Sequence, residues 1–451
     1  MRARRVTRRM SVLAGIAALL VTAGCGNQGA SSAPTVADGE VRLFGTDGNM
    51  SDSFGDTLKE EPGVLAGMKG TTPLNPLSDD FKRRMHTIDP ALTDFTYSAE
   101  SYDAVVIEAL AAESARAFDG ATIARYVNSV TVGGVTCESV GACLQELRAG
   151  HDIQYRGVSL KRSGFTDAGE PSTTSYGTLN FGRNNHIDPA KTEYVGAGDE
   201  SQETKAPQPP PSRGAGKVPG QLKIGGLLPH SGAIAYQGPP IAAAIRLAIN
   251  EVNEAGGVLG SPVVFIDGDD GASADVAGAT LDVLISKGVQ AIVGPCCSGV
   301  SLKVMPKVVQ NNLVMISMSA TSDALTKVDD KGLFFRTSPP DKLQAKALAD
   351  IVMRDGAERI FLVARDDAYG TGLQQGVQAD LNTAGIRPSQ IRTITYKVKD
   401  KYDQGDLNAM FKPLAKQVKQ FRPDAVVIVG FEESGLVVRS LKAEGITFRT
   451  S

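Results

Sequence analysis

The sequence has no tryptophan, and among its 451 residues there are only four histidines, five cysteines and 6% aromatics. His86, His151, His186 and His230 stand far apart, none at ligand spacing to another, so no metal site is expected. Neither sign of charge dominates: 47 Lys and Arg against 50 Asp and Glu give no electrostatic footprint for a nucleic-acid partner. A Walker loop, a G-x-S-x-G elbow and any Ser/His/Asp or Cys/His grouping are also missing. Cys296-Cys297 is the one candidate nucleophile, and no histidine lies near it in sequence. The chain therefore reads as a protein that is not an enzyme and needs no cofactor. Past the N-terminus no run approaches the ~18 apolar residues of a membrane span.

What is present begins with a targeting segment over residues 1–25. Arg2, Arg4, Arg5, Arg8 and Arg9 give a basic start, and the apolar stretch from Ser11 to Val21 has 11 residues, too short to span a bilayer. Val21-Thr22-Ala23-Gly24-Cys25 resembles a bacterial lipobox, with Thr22 where leucine is usual. Cys25 is thus the expected lipidation site, and the protein is expected to be exported and anchored to the outer face of the bacterial cytoplasmic membrane. The competing reading is a short membrane anchor with a chance cysteine. Residues 7–13 stay open between a twin-arginine export signal and a plain basic start. The remaining cysteines are even in number, which in an exported chain favours disulfides. Cys137 and Cys143 enclose a short polar loop and are expected to pair, whereas adjacent Cys296 and Cys297 stay open.

Residues 26–39 are small and polar, a spacer. Residues 196–220, GAGDESQETKAPQPPPSRGAGKVPG, are rich in Pro, Gly and charge and read as an extended linker. Beyond the linker, apolar runs at 222–228, 263–267, 291–294, 314–317, 360–363 and 425–429 alternate with helical stretches, and Ser273 is a natural N-cap. That alternation is the pattern of a parallel sheet covered on both faces. Before the linker, strands are expected at 41–45, 63–70 and 175–181, with helices near 79–86, 101–117 and 120–130.

The block after the linker resembles the branched-chain-amino-acid type of ABC-transporter substrate-binding protein. The residues carrying this are LKIGGLLPHSGAIAYQG, AINEVNEAGGVLGSPVVFIDGDDG, AIVGPCCSGVS, ISMSATSDAL, FFRTSPPD and DDAYGTG, in that family's order. The family's later pieces resemble segments found before the linker: VRLFGTDGNMSDSF, GVLAGMKGTTP, SAESYDAVVIEAL and GFTDAGEPSTTSYGTLNF. The resemblance implies an α/β, two-lobed periplasmic-binding-protein type 1 fold, each lobe a parallel sheet flanked by helices, in circularly permuted order. Lobe 2 would take residues 40–72, 166–195 and 339–451, and lobe 1 residues 73–165 and 221–338. The linker would rejoin the ancestral ends, and the crossings would fall near 337–339, 71–73 and 164–166. The alternative is a misassembled gene product.

The resemblance also implies a ligand cleft. Ser298 would offer its hydroxyl and neighbouring N–H groups to a carboxylate at a helix start. Thr321, in Ser319-Ala320-Thr321, would be a second polar contact, and the Ala320 carbonyl an ammonium acceptor. Tyr369 would cap the ligand, Glu433 would pair its α-ammonium, and Tyr236, displaced by one residue from the family's position, carries less weight. Plain helix capping is the competing reading for Ser298 and Thr321, and solvated acids for Glu432 and Glu433. Asp269, Asp270, Asp366 and Asp367 read as exposed turn acids. The implied function is a monomeric extracytoplasmic receptor that delivers an amino acid or amide-like solute to an ABC permease with separate ATPase subunits. The alternative is a sensory module on the same fold, signalling to a membrane partner.

Overall fold

The computed structural model describes residues 40–214, 218–399 and 401–450. Residues 1–39, with Cys25, lie outside them. The strands are β1 (Glu40–Gly45), β2 (Lys69–Pro73), β3 (Val135–Cys137), β4 (Ile153–Tyr155), β5 (Thr173–Asn180), β6 (Glu193–Gly198), β7 (Lys223–Gly226), β8 (Val264–Ile266), β9 (Ala291–Val293), β10 (Val314–Ser317), β11 (Phe334–Arg336), β12 (Ile360–Arg365), β13 (Ile391–Tyr396), β14 (Ala425–Val429) and β15 (Thr447–Phe448).

Two sheets organise the molecule. The eight-stranded sheet runs β13-β12-β14-β1-β2-β5-β6, with β15 beside β1. It is parallel as far as β2, and β5 and β6 close it as an antiparallel pair. The five-stranded sheet runs β11-β10-β9-β7-β8 and is parallel throughout. All five residues of β14, Ala-Val-Val-Ile-Val, are buried, as expected of a parallel strand covered on both faces. β1 lies between β14 and β2, with Phe44 opposite Val427 on one side and Lys69 on the other. Residues from both sides of the linker therefore share one sheet.

The smaller sheet's lobe is completed by helices from before the linker. All eighteen residues of helix Ser98–Ala115 are buried, and it packs against helix Gly238–Glu254. Its SYDAVVIEALAAESA run lacks a polar face because no face of it meets water.

Three local expectations change. Residues 62–67 form turns, and β2 starts only at Lys69; Gly63 and Gly67, at φ 73° and 80°, interrupt extended geometry there. Ser273 stands at an N-cap, but its side chain makes no capping bond. The linker is docked along most of its described length. Its first residues end β6, Thr204 N donates to Phe165 O at 2.8 Å, and Glu203 pairs with Arg156 at 3.1 Å. Farther on, Ser129 Oγ donates to Pro209 O at 2.9 Å and Ser212 N to Ser114 O at 2.8 Å. A Pro-rich segment has few amides to satisfy, and here two of them, with one carbonyl and the Glu203 side chain, find partners on the neighbouring lobe.

Cys137, at the end of β3, is disulfide-bonded to Cys143 in helix Val140–Arg148, while Cys296 and Cys297 are free thiols. Among the described residues no helix is long and apolar enough to cross a membrane.

Candidate ligand-binding cleft

Parallel strands gather their carboxyl ends, and the helix starts that follow, on one side of each sheet. After β1 comes the turn Thr46-Asp47-Gly48-Asn49. Asn49 Oδ1 accepts from Thr46 N at 2.9 Å, and Asn49 Nδ2 donates to Ile428 O on β14 at 2.9 Å. Gly48 lies so close to β14's loop that a Cβ there would stand 2.5 Å from Gly430 O. The turn thus fixes Asp47, which is only 7% exposed.

Three neutral groups donate to the Asp47 carboxylate: Tyr97 Oη at 2.9 Å, Tyr369 Oη at 2.7 Å and Gln344 Nε2 at 2.9 Å. Tyr97 comes from the lobe of the smaller sheet, and the other two from helices on the larger one. Burial pushes the Asp47 carboxyl up, and these hydrogen bonds oppose it. Among the described residues no cation is a hydrogen-bond partner of it. Tyr97 itself is left-handed, at φ 57°, an uncommon and costly conformation for a bulky residue.

Further buried polar atoms in this neighbourhood have no hydrogen bond: Thr321 Oγ1, Gln344 Oε1, Tyr176 Oη and both oxygens of Asp341. The Thr321 hydroxyl lies near the Asp341 carboxylate without hydrogen-bond geometry. Burial pushes Asp341 well up, and the charge of Asp47 adds to this. Buried polar atoms left open in this way are the ones a ligand can satisfy. The lobes also touch directly here: Tyr236 Oη donates to Gly48 O at 3.2 Å and Ser322 Oγ to Ala368 O at 2.8 Å.

The residues expected from sequence fall into two groups. Tyr369 stacks on Phe431 and bonds Asp47, Tyr236 reaches the turn beside Asp47, and Thr321 keeps an open hydroxyl. The others already hold internal partners. Ser298, first residue of helix Ser298–Gln310, accepts from Ser322 N at 3.1 Å, and Ser319 Oγ donates to Cys296 O at 3.2 Å. The Ala320 carbonyl accepts from Arg336 Nη1 and Ser338 Oγ, both at 3.2 Å. Glu433 pairs with Arg365 at 3.1 Å and accepts from Tyr396 Oη at 2.8 Å, so its charge is compensated within its own lobe. Asp270 is not an exposed turn acid. It is fully buried and accepts from Cys296 N at 3.0 Å, and burial holds its carboxyl at about 6.

Sequence reasoning missed Asp47, Tyr97, Asp341 and Gln344. The signal for Asp47 was available in Gly45-Thr46-Asp47-Gly48, an acid in a turn that begins where a strand ends.

A family model described as periplasmic binding protein matches residues 221–450, just over half of the chain. The chain belongs to the periplasmic binding protein family. The family is one of solute-binding proteins rather than enzymes, and it indicates a place outside the cytoplasm. The Leu/Ile/Val-binding protein BraC3 of Rhizobium johnstonii is 31% identical over 224 residues, 49% of this chain and 58% of that protein. The Leu/Ile/Val-binding protein homolog 3 of Brucella melitensis is 28% identical over 229 residues, 50% of this chain and 59% of that one. The chain thus spans 58–59% of the length of these relatives. The crystal structure of a leucine binding protein, LivK, from Thermotoga maritima matches at 24% identity and TM-score 0.44, covering 50% of this chain and 61% of that one.

Proposed function

We propose that this family member is an extracytoplasmic receptor that closes two lobes around a small amino acid or amide-like solute and presents it to an ABC permease. The observation that carries this reading is Asp47, a buried carboxylate held by neutral donors from both lobes with no cation. A ligand ammonium placed there would supply the missing charge, and closing the lobes would assemble its partners. Asp341, Thr321 and Gln344 would satisfy further ligand atoms, and the start of helix Ser298–Gln310 would receive a carboxylate. Relatives named as Leu/Ile/Val-binding proteins support the amino-acid class. A thermal-shift and calorimetric screen with the amino acids, simple amides and urea tests it. An amino acid should raise the melting temperature; a response to uncharged amides alone would remove the ammonium from the reading.

We also propose that the chain order is a circular permutation and that Cys25 carries a lipid. The position of β1 between β14 and β2, and of Thr447–Phe448 beside Glu40–Val41, supports the first. A rearranged chain beginning at Gly220, with residues 40–195 placed after Ser451, should fold and bind like the natural one. Its failure where the natural chain folds would sink the permutation. For the lipid, Cys25→Ala should release the protein from membranes into the soluble fraction.

A further inference from the structure

Arg365 closes β12 with its side chain only 7% exposed. Its Nε donates to Asp367 Oδ2 at 2.6 Å and its Nη1 to Glu433 Oε1 at 3.1 Å, and the guanidinium lies 3.6 Å from the Phe431 ring centre. Phe431 stacks on Tyr369, 5.5 Å between centres, and the Tyr369 hydroxyl holds Asp47. Asp47, Tyr369, Phe431 and Arg365 are thus linked in one continuous row in the lobe of the larger sheet. From the other lobe Cys297, the residue before Ser298, lies within electrostatic reach of Arg365, Asp367 and Glu433. The Nη2 group of Arg365 donates to no described residue, which leaves one edge of the guanidinium unused.

We propose that Arg365, positioned by Asp367 and Glu433, reads the side chain of the bound amino acid and selects a neutral acceptor, an amide or ureido oxygen. This rests on the amino-acid-receptor reading above and names its ligand class. If the ligand ammonium sits on Asp47, the row carries the rest of the molecule towards Arg365. An aliphatic chain there would cover the unused guanidinium edge without a partner, which is unfavourable. A carboxylate is also disfavoured, because Asp367 and Glu433 already set two negative charges against one positive. A carbonyl oxygen accepts the bond and adds no charge.

Calorimetric titration of the full chain with L-glutamine, L-asparagine, L-citrulline, L-glutamate, L-leucine and L-isoleucine tests this. At least one amide or ureido ligand should bind more tightly than leucine, by about tenfold or more, the factor carried by one hydrogen bond to a charged group. Arg365→Met should erase that preference while leucine binds no worse. The double variant Arg365→Met/Glu433→Leu, which leaves no buried carboxylate unpaired, is measured beside it, and the wild-type ranking decides where neither variant folds. Leucine or glutamate binding the wild type as tightly as the amides, or a preference that survives in a folded variant, overturns the assignment and leaves the receptor reading intact. Failure of every amino acid to bind overturns both.

Discussion

The turn after β1 and the turn after β14 each set a buried carboxylate at the carboxyl end of the larger sheet, Asp47 in one and Glu433 in the other. Glu433 has a guanidinium within its own lobe, with Tyr396 and the Phe431 amide completing its partners. Asp47 has three neutral donors, drawn from both lobes, and no cation among the described residues. Identical chemistry thus reaches two opposite states. Glu433 has a cation within its own lobe, whereas the described partners of Asp47 are all neutral, which is why the proposed ligand ammonium is set on Asp47.

Removing each charge in turn breaks or sustains that contrast. Asp47→Asn should weaken amino-acid binding by at least about a hundredfold, since truncating one partner of a buried ion pair costs roughly 3–5 kcal/mol. Glu433→Gln should leave the ammonium contact intact and change affinity far less. Calorimetry on both variants decides; the reverse ranking would return the ammonium to Glu433. The next largest effect is on folding. Arg365→Met strands Glu433 without its cation and should destabilise the protein by about 3–5 kcal/mol in denaturant melts. Arg365→Met/Glu433→Leu should recover part of the loss, because it removes the buried Glu433 charge while the partly exposed Asp367 still loses its cation.

The same contrast explains what the sequence could and could not reveal. Strands such as Ala425–Val429 declare themselves by continuous apolar runs, and the motif DDAYGTG singled out Tyr369, whose hydroxyl bonds Asp47. Partnership is different, because it depends on side chains distant in sequence. Glu433 and Arg365 are 68 residues apart, and Asp47 and Tyr369 are 322 apart. Nothing in FEESG says that its second glutamate is already neutralised, and nothing in GTDG says that its aspartate is not. The linker misled for a related reason. Its composition forbids a core of its own but not docking on a neighbour's helices, where Ser129 and Ser114 supply the contacts.

A smaller effect belongs to the disulfide, which ties β3 to the helix carrying Cys143. Five residues lie between the two cysteines, so the closed loop is short and the chain-entropy contribution modest. Cys137→Ser/Cys143→Ser should lower stability by about 2 kcal/mol. Because the disulfide is remote from Asp47, ligand affinity should stay unchanged; a change in affinity would mean that this edge of the lobe is coupled to the cleft.

Helix Ser98–Ala115 repeats the comparison inside one element, away from the cleft. Its Asp103 accepts from Tyr155 Oη at 2.7 Å and from the Val158 and Ser159 amides, while Glu113 pairs with Arg148 at 3.3 Å. Glu108, on the same helix and fully buried, has no hydrogen bond to either carboxylate oxygen. Burial alone pushes its carboxyl well above the usual carboxylate range. The folded chain therefore holds a proton there that the unfolded chain releases near pH 4.3. Where the folded state binds more protons than the unfolded, stability falls as pH rises, by up to about 1.4 kcal/mol per pH unit for one group. Glu108's contribution is thus most favourable below about pH 4 and declines through neutrality towards its raised folded value. Glu108→Met, similar in volume and favourable in a helix, removes that slope and the unpaired polar atoms together. The variant's advantage over the wild type should be larger at pH 7 than at pH 5, growing by up to about 1.4 kcal/mol for each pH unit between them. Thermal melts of both proteins from pH 5 to 8 measure the difference, and parallel curves would mean that Glu108 finds a partner in the folded protein after all.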